Sequence, residues 1–169
     1  TNMVHQSGGI AGLGRFGDES VAPDILAALQ GPNGRELECA ALAAFESLPG
    51  VGAAKALLDA YPNLSKETQL GMLGVFGRKQ DANFLPLLND AARSGDSAFR
   101  QAALTALSDS QLPGALDGLK ALAASASAEE KPAVLESIQR MARLFRNRGE
   151  RDIAGKAFLA LYQLADTPE

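Results

Sequence analysis

Apolar side chains recur along the chain at spacings of three and four, the pattern that gathers them on one face of an α-helix. The clearest run is Asp96 to Ala124. A polar start at Asp96 leads into a stripe of Phe99, Ala103, Leu104 and Leu107, the segment SDSQLPG interrupts it, and a second stripe follows at Leu112, Leu116, Leu119 and Leu122. Two helices of this kind form a hairpin whose remaining apolar surface needs neighbours of the same build.

Those neighbours are present. Leu107 falls into register with Phe76, Phe45 and Phe16 at successive spacings of 31, 31 and 29 residues, and 31 residues further on stands Ile138. Small or apolar residues accompany these anchors four positions earlier, at Gly12, Ala41, Met72, Ala103 and Val134. The pattern predicts an all-α chain of about five helical hairpins at 9–30, 33–61, 65–94, 96–124 and 128–165, after a polar segment 1–8 without fixed structure and before a tail at 166–169. Val51, Ala54, Leu57 and Leu58 make the stripe of the fourth helix; Ile153, Ala157, Phe158, Leu161 and Tyr162 make that of the last.

Pro23 suits the first turn of its helix, and Ser65 is placed to cap the next one. The fifth hairpin leaves two starts open, a capping box from Ser127 to Glu130 or a helix beginning at Pro132. The glycine-rich GGIAGLG lacks the preceding strand and spacing of a nucleotide loop, so Gly9 and Gly12 are expected at close helix approaches, as are Gly71 and Gly74.

The stretch DSAFRQAALTAL resembles the opening of a HEAT repeat, with Asp96, Phe99, Arg100, the pair Ala102–Ala103, and Ala106–Leu107 in the family's places. LGRFGDESVAPDIL at 13–26 resembles the joint between its two helices. The hairpins are most similar to the short bacterial repeats of the phycobilisome-lyase type. This resemblance implies a right-handed α–α superhelix, an α-solenoid of the armadillo type, with a concave surface made by the second helices and used for protein binding. Arg100 is replaced by Gly9, Glu38, Gln69 and Lys131 in the other units, which excludes a regular ladder of buried Asp–Arg contacts. A weaker resemblance, carried by AYPNLSKETQLGMLGVFGRKQDANFLPLLNDA, is to HEAT segments of large bacterial proteins that join a sugar-dehydrogenase-like propeller to a cytochrome-like domain. The haem signature C-x-x-C-H is absent here, so that likeness implies no haem chemistry.

Composition agrees with a helical chain. Ala and Leu dominate, aromatics are 5% and Trp is absent. A net charge of −4 disfavours general nucleic-acid binding, and no apolar run reaches the length of a membrane span. These features predict a soluble protein, cytoplasmic or periplasmic. The opening TNMVHQ and the half-complete first hairpin lead to the expectation of a domain from a larger bacterial protein.

Candidate chemistry is sparse. His5 has no positioned acid or nucleophile, and Cys39, flanked by Glu36 and Glu38, reads as a small hydrophobe near a packed helix face. The acidic pairs fall at helix starts without metal-ligand spacing, so no cofactor or metal is expected. The exception is Arg140, Arg143, Arg146, Arg148 and Arg151, five arginines in twelve residues, a candidate surface for an anion or acidic partner that competes with pairing to Glu136, Glu150 and Asp152. On the second helices, Asp24, Lys55, Asp59, Asn83, Asp90, Arg93, Asp117 and Lys120 are the candidate concave-face residues. The expected function is therefore a non-enzymatic interaction or scaffold module, binding a protein partner or another domain of its parent. The alternatives are a lyase-like accessory domain for a cofactor-handling enzyme and a structural spacer.

Overall fold

The computed structural model describes residues 3–165; residues 1–2, the expected tail at 166–169 and the side chain of Val51, assigned above to a stripe, lie outside the described part. All regular structure among the described residues is helical. The α-helices are α1 (Met3–Phe16), α2 (Ala22–Gln30), α3 (Gly34–Ser47), α4 (Val51–Ala60), α5 (Lys66–Lys79), α6 (Leu85–Ala91), α7 (Ser97–Ser110), α8 (Pro113–Ser125), α9 (Lys131–Asn147) and α10 (Arg151–Ala165). The chain divides into two compact units, Thr1–Val75 and Phe76–Glu169.

Helix starts are set by local chemistry. Asp96 Oδ1 accepts from the N–H groups of Ala98 (2.9 Å) and Phe99 (3.4 Å), and Ser65 Oγ accepts from Thr68 N–H (3.2 Å). These bonds satisfy donors that the helix itself leaves free. Asp18 and Asp81 do the same for short 3₁₀ turns that lead into α2 and α6. Pro23, Pro86, Pro113 and Pro132 stand in the first turns of α2, α6, α8 and α9, where a missing N–H costs nothing. Both expected starts of the fifth hairpin are used. Ser127 and Glu130 exchange capping-box bonds around a turn, and α9 begins at Lys131 with Pro132 second.

In the N-terminal unit α1 packs on α3, and α2 packs on α3 and α4. Ile10, Ile25, Leu29, Leu37, Phe45 and Leu57 are buried between them. Gly50, at φ 95°, precedes α4 and provides no cap of its own. The cap comes from the 3₁₀ turn before α2, where Glu19 Oε2 accepts from Gly52 N–H at 2.7 Å.

In the C-terminal unit each helix meets the next and the next but one. α6 touches α7 and α8, α7 touches α8 and α9, and α8 touches α9 and α10. This repeated hairpin packing buries Phe84, Leu88, Leu104, Leu107, Leu119, Ile138, Met141 and Phe145. Phe76 stacks on Phe84 with centroids 4.2 Å apart.

Four of the five register anchors, Phe45, Phe76, Leu107 and Ile138, are fully buried, but Phe16 is 85% exposed. The glycines explain the difference. A Cβ on Gly77, one residue after Phe76, would stand 2.8 Å from Ala106 Cα; one on Gly14 would stand 2.6 Å from Ala44 Cβ and nearer still to Ala44 Cα. Ala106 and Ala44 each precede an anchor by one residue, so Gly14 holds the place of Gly77 and Leu13 falls at the place of Phe76, although Leu13 is itself 36% exposed. Phe16 therefore points outward beside Arg15.

The same contacts correct the glycine assignment. Nothing lies within 4 Å of a Cβ built on Gly9 or Gly12, whereas Gly14 and Gly77 are close approaches, and Gly71 is one as expected, 2.6 Å from the flexible end of Leu42. Residues 3–8, expected to lack structure, are the first turns of α1, held in part by Asn33 Nδ2 donating to Gln6 Oε1 (3.2 Å). The last helix also turns differently from its predicted stripe. Ala157 is buried as expected, but it is joined by Ala154 and Ala160, while Phe158 and Tyr162 of the predicted stripe are exposed, as is Leu159.

Candidate functional site

α7 and α9 lie side by side, and between them runs an open groove of about 450 Å³. From α7 it receives Gln101, Thr105 and Ser108, spaced four and three along one face; from α9 it receives Glu136, Gln139, Arg140 and Arg143, with Leu144 at the edge. Its wall mixes polar and apolar surface, and the two buried hydroxyls are committed to backbone carbonyls. Ser108 Oγ donates to Thr105 O (2.8 Å) and Ser137 Oγ to Ala133 O (2.9 Å), leaving the Thr105 hydroxyl, the amides and the charges as the accessible polar groups.

The arginine cluster is dispersed by its partners. Arg140 sets both Nε (2.9 Å) and Nη2 (2.7 Å) on Asp109 Oδ1, a partner on α7 that lies one repeat away in sequence. Glu136, one turn before Arg140 and a competitor expected from the sequence, does not pair with it. Arg148 Nε lies 2.9 Å from Glu150 Oε1 and its Nη1 donates to Gln111 Oε1, while Arg146 Nη2 donates to Asn147 Oδ1 (3.3 Å). Arg143 and Arg151 have no hydrogen-bond or ion-pair partner among the described residues, and the same holds for Glu136, Gln101 and Gln139. The groove thus brings together Arg140 and Arg143 of the five; Arg151 belongs to the α10 start, where it helps line a separate shallow depression.

The second-helix residues are exposed, and most neutralise one another within their own helix or across the turn that ends it. Lys55 meets Asp59 at 2.6 Å, Arg93 meets Asp90 at 3.8 Å and Lys120 meets Asp117 at 3.7 Å. Asp24 lies in the first turn of α2, and Asn83 is in the 3₁₀ turn before α6, not in the helix.

Arg100 serves the fold. Its Nη1 donates to Ser94 O (2.8 Å) in the turn before α7 and lies 3.6 Å from Glu130. The Ser127 hydroxyl and N–H hold the Glu130 carboxyl below its ordinary range, with a smaller contribution from Arg100. His5 is exposed on α1. Cys39 is also exposed, which corrects its expected packing; it lies two residues from both Leu37 and Ala41, on the opposite face of α3 from those buried side chains. A second cavity, about 670 Å³ in the N-terminal unit, is lined by the turn after α2 and the starts of α3 and α5. There the hydroxyls of Ser65 and Thr68 bond to each other at 2.9 Å.

Among the described residues no group of His, Cys, Asp or Glu is arranged to hold a metal, and no helix is long and apolar enough to cross a membrane. Comparison with curated proteins and with solved structures returned no match. A family model described as HEAT repeats matches residues 54–139, just over half of the chain. Proteins of this kind are generally non-catalytic scaffolds, in keeping with the reading of this chain as a non-enzyme. With half the chain matched and successive helices packed as repeated hairpins, the chain belongs to the HEAT-repeat family.

Proposed function

We propose that the chain is an interaction module that captures a peptide segment of a protein partner, or of another domain of its parent, in the groove between α7 and α9. The observation that carries this reading is the set of uncommitted groups on the two walls: the amides of Gln101 and Gln139 and the guanidinium of Arg143, beside an Arg140 already pinned by Asp109. A side-chain amide offers a donor and an acceptor together, which matches a peptide unit. The groove favours a peptide over the cofactor of a lyase-like protein, because amides and charges interrupt the predominantly apolar wall that a cofactor pocket needs. It is also preferred to the second-helix face, whose charges are largely paired within single helices.

The test is a random-peptide display selection on the immobilised chain. Selected peptides should lose at least about tenfold in affinity on a variant carrying Gln101→Ala, Gln139→Ala and Arg143→Ala, equivalent to three modest polar contacts. Charge reversal at Lys55, Arg93 and Lys120 should leave them bound. No enrichment, or equal binding to the triple variant, refutes the groove and favours the spacer.

A further inference from the structure

The groove carries opposite free charges at its two ends. Glu136 and Arg143 lie seven residues apart on α9 and both line it, which separates them by about 10 Å along the helix axis. Neither has a partner among the described residues. Arg140 lies between them but is spent on Asp109, so it contributes little net charge to the middle of the groove. The uncharged hydrogen-bonding groups Gln101 and Gln139 are supplied from the two walls.

Resting on the peptide reading above, we infer that the groove selects an extended segment carrying a basic and an acidic side chain three residues apart, the basic one at Glu136 and the acidic one at Arg143. The extended form that fits is polyproline II, which advances about 3.1 Å per residue and completes a turn in three, so side chains three residues apart face the same way and stand about 9 Å apart, close to the separation of the two charges. The extended form is chosen over a helix because the amides of Gln101 and Gln139 need backbone N–H and C=O groups to bond, and a helix has already used its own. An Arg at the acidic end adds geometric selection, since its fork accepts a carboxylate through two bonds. A phosphate or an all-acidic segment is disfavoured, because Glu136 would repel it.

Four blocked hexapeptides test this on the full 169-residue chain: Lys and Glu three residues apart in each chain direction, a Lys–Lys peptide and a Glu–Glu peptide of the same spacing. Affinities are read by NMR titration of the α7 and α9 amides. One of the mixed peptides should bind at least about fivefold more tightly than either like-charged peptide, the size expected of two partly exposed ion pairs. Glu136→Lys should transfer the preference to the Glu–Glu peptide and Arg143→Glu to the Lys–Lys peptide. The double exchange should restore the preference for mixed charge and reverse the favoured chain direction. Both side chains lack partners, so these variants leave the fold's own bonds intact. Binding at the groove that ignores peptide charge, or variants that do not switch preference, overturns this inference and leaves the peptide groove standing. Failure of every peptide, display-selected ones included, to perturb the α7 and α9 amides overturns both.

Discussion

The two glycines Gly9 and Gly14 lie on the same helix, and replacing each by alanine should change stability in opposite directions. In an exposed helix interior, alanine is better than glycine by about 1 kcal/mol, and Gly9 has open space around it, so Gly9→Ala should stabilise by about that amount. At Gly14 the same gain is outweighed. The new Cβ would stand 2.6 Å from Ala44 Cβ and nearer still to Ala44 Cα, where carbon atoms prefer about 3.5–4.0 Å. Neither Ala44 atom can rotate away, so α1 and α3 must separate. Overpacking of this kind costs about 1–3 kcal/mol; backbone contact places it near the upper figure and leaves a net loss of about 2 kcal/mol. The two variants should therefore differ by about 3 kcal/mol, or roughly 1–2 M in urea midpoint. The measurement is far-UV circular dichroism in urea, with amide exchange in α1 and α3 to localise the change. Equal stabilisation by the two substitutions would refute the close approach and the placement of Gly14 opposite Ala44.

Two further outcomes are expected. Asp96→Ala removes the acceptor for two N–H groups at the start of α7 and should cost about 1 kcal/mol, seen as a lower melting temperature and faster exchange of the Ala98 amide, while Asp96→Ser should recover most of the loss. Burial pushes the Tyr61 phenol up to about 12, so it ionises more readily in the unfolded chain. Its contribution to stability is complete below the ordinary phenol value and is lost as the pH rises toward 12, a dependence that Tyr61→Phe should remove from an alkaline unfolding series.

The hairpin pattern was legible because it rests on bulk burial. Phe45, Phe76, Leu107 and Ile138 repeat an apolar anchor at nearly constant spacing, and each is fully enclosed. Phe16 misled because an aromatic identity was matched in place of a contact: the diagnostic residue was Gly14, whose partner Ala44 is not near it in sequence. Capping at Asp96 and Ser65 was readable, since donor and acceptor lie within three residues. The cap of Glu19 on Gly52 was not, because its partners lie 33 residues apart.

The candidate site divides in the same way. Five clustered arginines are visible in the sequence, yet their fates depend on side chains from α7 and the following turns. Arg140 and Asp109 are 31 residues apart, the interval of the register itself, so the repeat contained a signal for that pair. Gln101 and Gln139 gave no comparable signal, since unpaired amides become informative only when two helices present them to one space. The outward turn of Cys39 was obscured for the opposite reason, because neighbouring small residues on either face of α3 look alike in sequence.

The loan of Glu19 to the start of α4 also bears on the order in which the chain is made. Glu19 precedes Gly52 by 33 residues, so in synthesis the acceptor is made before the helix that needs it. A helix begun by glycine, with no cap of its own, is thereby made conditional on its predecessor. A fragment starting at α4 would have to begin this helix without that bond.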